Sequence, residues 1–147
     1  MLKPTLPIAL DEALAMVLAA HEHARQEGLH IAAAVVDEGG FLQALGRMDT
    51  APPLASQIAE AKAVGAAVWH RQGHELLEVH RDRAKFFDQV DRLVRMPLIP
   101  GPGSLLIRRA GRVLGAIGIS GALPEQDLAC AEAALGSVAA EGKAPKR

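Results

Sequence analysis

The chain has 147 residues, half of them apolar, with a formal net charge of −1 and one cysteine. This composition suits one domain with its own core, and the near-neutral charge argues against a nucleic-acid surface or a membrane partner. No apolar run approaches the ~20 residues that span a bilayer, no continuous apolar region follows Met1–Pro4, and a lone Cys130 excludes an internal disulfide and a cysteine-rich zinc site. We therefore expect a cytoplasmic protein with a single domain over residues 1–147 and a core over about residues 8–140.

The first predicted element is a helix that begins near Leu10 and ends at Gly28. Apolar residues recur there at helical spacing, the acids Asp11 and Glu12 occupy the first turn, and glycine commonly follows a helix end. The residues expected to face the core are Leu10, Leu14, Val17, Leu18 and His21.

Two strand-length runs between Ile31 and Arg47 flank the turn sequence Asp37-Glu38-Gly39-Gly40. Glycine supplies the positive φ that tight hairpin turns need, so the pattern predicts a β-hairpin. Both faces of its second strand are largely apolar, and we expect helices to cover at least part of each. Arg47 and Asp49 lie at the far end of the hairpin, where the Arg47 guanidinium could hold a ligand carboxylate bidentately. The plainer interpretation is that Arg47 pairs with Asp49 or Asp37.

Pro52-Pro53 open a second predicted helix, because proline is tolerated in a first turn. Lys62 falls at the edge of its apolar stripe. The plainer interpretation is that Lys62 snorkels and keeps its ammonium in water; the functional one is a desolvated basic or nucleophilic amine that shares an anion site with Arg47. The residues expected to face the core are Leu54, Ile58, Ala61, Gly65, Val68 and Trp69.

The segment from His74 to Leu93 is helical in pattern but more polar than the first two helices. After it, Met96–Gly103 contains three prolines and two glycines, which predicts an irregular loop or lid. The residues in phase within the helical segment are Leu76, Leu77, His80, Ala84, Phe87 and Val90.

A second hairpin is predicted from strands at Ser104–Arg109 and Arg112–Ser120, joined by a turn at Ala110-Gly111. Gly115 and Gly118 in its second strand indicate close approach of another backbone or a ligand. A final helix follows. The order α-ββ-αα-loop-ββ-α, with hairpins in place of βαβ crossovers, predicts an α+β layered domain with a mainly antiparallel sheet.

Ser120 and Gly121 lead from the last strand into the N-terminus of the final helix. Free backbone N–H groups and the helix dipole attract anions at such a position. Asp127, in the first turn, has two interpretations: a dipole partner or cap, or a general acid or base placed by the helix.

Several segments together carry a family pattern: VVDEGGFLQALGRMD (35–49), AEAK (59–62), GRVLGAIGISG (111–121) and Asp127. They resemble the GlcG/HbpS-like family, also described as the haem-degrading domain family, which includes the C-terminal domain of PduO-type proteins. The resemblance implies a profilin-like layered domain whose mainly antiparallel five-stranded sheet is packed with helices, and assembly into a homo-oligomer. It also implies a small anionic ligand, with haem or another tetrapyrrole first, and slow haem breakdown in some members.

The chain departs from the family pattern in two places. Gly103-Ser104-Leu105-Leu106 stands where the family usually has Gly-Gly-x-Pro, and Ala110-Gly111 stands where an Asp-Gly turn is usual. The segment from His70 to Arg95 has no counterpart in the pattern. The first departure alters a loop near the expected pocket, so the identity of the ligand does not follow from the resemblance.

We expect the ligand pocket between the first hairpin corner, the second helix and the Ser120-Gly121 turn. Nothing in the chain has zinc-site spacing. For haem held by an axial histidine, His80 is the first candidate and His74 the second, whereas His21 is predicted to be a satisfied core imidazole. The expected ligand-binding residues are Arg47, Asp49, Lys62, Ser120 and Gly121.

Two other functions stay open. One is a cofactor-independent enzyme, in which Arg47 and Lys62 orient a small carboxylated or enolisable substrate and Asp127 or His80 moves a proton. Its catalytic candidates are Lys62, Asp127 and His80. The other is an oligomeric accessory protein with no ligand chemistry.

Overall fold

A computed structural model describes residues 6–143, and side chains as far as residue 138, so the segment Met1–Pro4 lies outside the described residues. The elements follow the predicted order. No helix in the described part of the chain is long and apolar enough to cross a membrane. The elements are α1 (Leu10–Gln26), β1 (Ala32–Asp37), β2 (Leu42–Arg47), α2 (Ala55–Trp69), α3 (Gly73–Asp82), α4 (Ala84–Val90), β3 (Ser104–Arg109), β4 (Arg112–Ser120) and α5 (Pro124–Lys143).

The strands form one sheet in the order β2-β1-β4-β3, and all neighbouring strands are antiparallel. The predicted mainly antiparallel α+β class is therefore confirmed. The strand count implied by the resemblance is not matched, because the described residues form a 4-stranded sheet. The two hairpins supply all four strands, while the chain between them is helical or rich in proline.

Helices cover both faces of the sheet, as the two apolar faces of the strands predict. Successive residues of a strand point to opposite faces, so Val35 packs in one cluster with α1 and α5 while Val36 packs in another with α2. The α2 layer lies close to the strands. A Cβ added at Gly118 would lie 2.2 Å from the carbonyl oxygen of Ala59. The predicted close approach is confirmed, and another backbone makes it.

The core-facing stripe predicted for α1 is partly wrong. Leu10, Leu14 and Leu18 are 50%, 44% and 64% exposed. Alanine side chains let this helix approach the sheet and α5 closely. The helix therefore turns its alanines towards the core, and the three leucines lie on its flank. The buried residues are Ala13, Met16, Val17, Ala20, His21 and Ala24.

The stripe predicted for α2 is partly wrong for the same reason, although Ala61 and Gly65 are buried as predicted. The helix begins at Ala55, after the prolines, and Leu54 and Val68 are exposed. Its sheet-facing surface consists of small residues that fit against β1 and β4. The fully buried alanines are Ala59, Ala63, Ala66 and Ala67.

The polar helical segment forms two helices that break at Arg83. Only part of its predicted apolar phase is buried: Leu76 and Phe87 form a small core with Leu98. The following loop is irregular, as predicted, but it is fastened to the fold. Leu98 is buried, and the carbonyl of Gly103 accepts a hydrogen bond from the Ile119 amide at 2.8 Å. The predicted irregular loop is therefore confirmed, and a role as a lid stays a prediction.

Candidate functional site

The first hairpin ends in a corner that several hydrogen bonds hold. The amide of Met48 donates to the carbonyl of Ile31 at 2.9 Å, and the amide of Ala51 donates to the carbonyl of Met48 at 3.1 Å. Thr50, between them, has φ 64°. A left-handed conformation is uncommon for a β-branched residue, and such strain tends to persist at functional sites.

Arg47 pairs with neither of the carboxylates expected from the sequence. Its Nη1 donates to the carbonyl of Ala51 at 2.8 Å. Asp37 instead organises the hairpin turn, because its Oδ1 accepts from the amides of Gly39 and Phe41 at 2.9 Å each. The predicted ion pair is wrong, and within the described residues the exposed Arg47 guanidinium has no carboxylate partner.

His30 lies opposite this corner, just before β1, and its imidazole has a defined orientation. Nδ1 lies 3.1 Å from the carbonyl oxygen of Asp49 and 3.0 Å from Oγ1 of Thr50. A carbonyl only accepts, so the contact with Asp49 requires the proton on Nδ1, and in that tautomer Nε2 has a free lone pair. Metal-ligating histidines usually have this arrangement, with the other ring nitrogen bonded to a carbonyl or carboxylate. Sequence reasoning did not single out His30 or Thr50.

Two concavities meet at His30 and Thr50. One has a volume of about 430 Å³ and the other about 500 Å³. Both volumes lie in the range of small-molecule sites, roughly 300–1,000 Å³. The first is lined by His21, Arg25, His30, Arg47, Met48, Asp49 and Thr50; the second by Gly28, Leu29, His30, Thr50, Pro52, Gly121, Ala122, Leu123 and Gln126.

Lys62 is buried and does not snorkel; its side chain runs inward because α2 lies so close to the sheet. Its residue is only 9% exposed. The ammonium Nζ donates to the carbonyl of Ile119 at 2.8 Å, to Oδ2 of Asp127 at 3.1 Å and to the carbonyl of Pro102 at 3.4 Å. All three ammonium protons therefore have acceptors.

Asp127 completes this buried pair. It is 3% exposed, and its Oδ1 accepts from the amide of Ala122 at 3.1 Å. Burial raises the pKa of the Asp127 carboxyl above its ordinary value of 3.8, and the nearby Lys62 opposes that rise without cancelling it. Burial also raises the pKa of the neighbouring Cys130 thiol to about 11, so this thiol stays protonated.

The raised pKa of Asp127 predicts a pH dependence of stability. The folded chain holds this proton to higher pH than the unfolded chain, so the stabilisation is fully present below pH 3.8 and is lost as pH rises through the raised pKa. Asp127→Asn cannot titrate. The free energy of unfolding of the wild type minus that of D127N should fall with pH in this window and then level off. Urea unfolding at a series of pH values measures it; a difference that rises with pH would mean that Lys62 outweighs burial.

The structure brings only some of the predicted site residues together. Arg47, Asp49 and Gly121 line the two concavities, whereas α2 lines neither. Ser120 is buried. Lys62 lines neither concavity and is bound to Asp127. The catalytic role of that pair stays a prediction.

The two axial-ligand candidates lie away from the corner. His80 packs against Phe87, with 5.3 Å between ring centroids, and the exposed His74 is in the first turn of α3. Neither lines either of the two concavities. His21 is the buried imidazole that its position predicts, with Nε2 at 2.9 Å from the carbonyl oxygen of Gly46.

Comparison with known proteins identifies relatives over nearly the whole chain. The family described as "Haem degrading protein HbpS-like" matches residues 8–136. Protein GlcG of Escherichia coli K12 is 33% identical over 122 residues, which are 81% of this chain and 85% of GlcG. The solved complex of PduOC with haem superposes with a TM-score of 0.80 at 26% identity, covering 90% of this chain and 95% of that one. An HbpS double mutant from Streptomyces reticuli gives a TM-score of 0.82 at 25% identity, covering 93% and 90%.

Proposed function

The chain belongs to the HbpS-like family, and from that premise we propose that it binds haem or a related anionic tetrapyrrole at the two concavities of the hairpin corner. One observation carries the proposal. His30, at the junction of the concavities, has Nδ1 within hydrogen-bond distance of the carbonyl of Asp49, and its Nε2 has no hydrogen-bond partner among the described residues. The haem complex of PduOC supports the same ligand class.

The residues at the corner fit such a ligand. A histidine nitrogen is a common protein ligand of haem iron, and His30 Nε2 would supply it. The guanidinium of Arg47, which has no carboxylate partner among the described residues, would hold a propionate. Leu29 and Met48, both partly buried against the core, offer apolar surface beside these polar groups. When bound, haem would supply iron redox chemistry; the chain's own residues would bind and orient it.

Titration of the protein with haemin tests this proposal. We expect the wild type to shift the Soret band, and His30→Ala to lose most of that shift because the iron loses its nitrogen ligand. His80→Ala distinguishes the two axial assignments, since the sequence predicts a loss in that variant and the structure predicts none. His23→Ala is the matched control, because His23 lines neither of the two concavities. A spectrum that survives His30→Ala and disappears in His80→Ala would contradict the assignment.

The catalytic roles of Lys62, Asp127 and His80 stay predictions, as do homo-oligomeric assembly and a cytoplasmic location. Slow haem breakdown also stays a prediction; loss of the Soret band of the wild-type complex with time would test it.

A further inference from the structure

The buried pair of Lys62 and Asp127 is connected to the wall of the larger concavity by one backbone turn. Asp127 Oδ2 accepts from Lys62, and Oδ1 of the same carboxylate accepts from the amide of Ala122 at 3.1 Å. The Asp127 amide donates to the carbonyl of Leu123 at 2.8 Å. Gly121, Ala122 and Leu123 line the concavity. Asp127, which lines neither concavity, therefore holds the turn that lines the larger one.

The same turn packs directly against the backbone of His30. Gly121 has φ 128°, and a Cβ placed on it would lie 2.6 Å from the carbonyl oxygen of His30 and 3.0 Å from Cα of Ile31. With so little space, a displacement of the turn displaces His30 as well. Contacts thus run from Lys62 through Asp127 and the turn to the residue proposed to hold the ligand.

We propose that Lys62 and Asp127 are positioning residues of the ligand site, which hold residues 121–123 against His30 and thereby fix its imidazole. Buried, fully satisfied and charge-assisted hydrogen bonds favour a single geometry. Gly103 lets the loop close over the pair, since a Cβ there would lie 2.9 Å from Lys62 Nζ. The consequence for the ligand rests on the proposed function, whereas the consequence for His30 rests on the contacts alone.

A matched pair of double variants tests the consequence for His30 without any ligand. Lys62→Met with Asp127→Leu removes both charges and the acceptor for the Ala122 amide; Lys62→Met with Asp127→Asn removes the charges but keeps an amide oxygen for it. We expect amide hydrogen exchange at Ala122 to rise roughly tenfold or more in the leucine variant, a change of about 1.4 kcal/mol in local opening. The His30 ring resonance should shift in the same variant. The asparagine variant should lie nearer the wild type in both measurements.

A control separates positioning from general destabilisation. Phe87→Leu weakens the small α3–α4 core, which lies apart from the concavities, and should leave the His30 resonance unchanged. If the leucine double variant does not fold, Lys62→Met with Asp127→Ala takes its place, because alanine also lacks an acceptor for the Ala122 amide. Wild-type exchange at Ala122 and a wild-type His30 resonance in the variant without the acceptor would overturn the proposal.

Haemin titration then tests the consequence for the ligand. We expect the leucine double variant to bind haemin roughly tenfold or more weakly than Phe87→Leu, with a broadened Soret band from mixed iron ligation. Failure of the wild type to bind haemin would refute the proposed function, and the ligand-free measurements would still decide whether the pair positions His30. Haemin binding equal to that of Phe87→Leu would overturn the positioning role at the ligand site.

Discussion

Replacement of Gly118 by alanine is expected to give a severely destabilised protein. The added Cβ would lie 2.2 Å from the carbonyl oxygen of Ala59 and 2.7 Å from the amide nitrogen of Ala63. Both atoms belong to the backbone of α2, so relief requires the helix to move away from β4 and lose packing along the sheet. The cost should reach or exceed the upper end of typical overpacking, about 3 kcal/mol. The free energy of unfolding of a native protein is only about 5–15 kcal/mol, so this cost is a large fraction of it.

Gly136→Ala is the control for this prediction. Among the described residues, a Cβ at Gly136 would meet no heavy atom within 4 Å, and the residue lies inside α5. Alanine has a higher helix propensity than glycine, so this variant should gain up to ~1 kcal/mol. Urea unfolding of both variants measures the two effects. A Gly118→Ala protein as stable as the wild type would show that α2 does not lie this close to the sheet.

Removal of the Lys62 ammonium alone is the second change with a large expected effect. Lys62→Met leaves the Asp127 carboxyl buried without its cation, and breaking a buried pair from one side costs about 3–5 kcal/mol. Lys85→Met, at an exposed position on α4, should change stability by less than ~0.5 kcal/mol. Chemical unfolding near neutral pH measures both.

The double variant Lys62→Met, Asp127→Leu adds a sharper comparison. Replacement of a whole buried ion pair by apolar residues of similar size is often close to neutral. We therefore expect the double variant to be more stable than Lys62→Met alone. A double variant no more stable than Lys62→Met would show that the cost of Lys62→Met does not come from an unpaired Asp127.

The sequence predicted the elements better than their buried faces. Glycine marks hairpin turns in a sequence, and the bounds of β3 and β4 follow from the turn at Ala110-Gly111. In α1 and α2, however, leucine and valine stripes predicted the core face, while alanines occupy it. A stripe of large apolar side chains is normally taken as the core face of a helix. Here the helix packs so closely on the sheet that only small residues fit between α2 and the strands, so the small residues form the core face.

The candidate site was predicted in part, because its position depends on strand register. Arg47 and Asp49 were recognised from the charged corner. His30 was missed although β1 pairs Ala32 with Arg47, which places His30 opposite Asp49. The register shift between Val35 and Val36 has no sequence signal, and without it His30 would face a different residue. The pairing of Lys62 with Asp127 is likewise a contact between α2 and α5, which local patterns do not encode.

An iron anomalous-difference map of crystals grown with haemin tests the central claim most directly. We expect an iron peak about 2 Å from His30 Nε2, close to the metal–imidazole bond length of zinc sites, with a propionate at Arg47. An iron peak beside His80 or His74, or electron density for haem away from the two concavities, would contradict it.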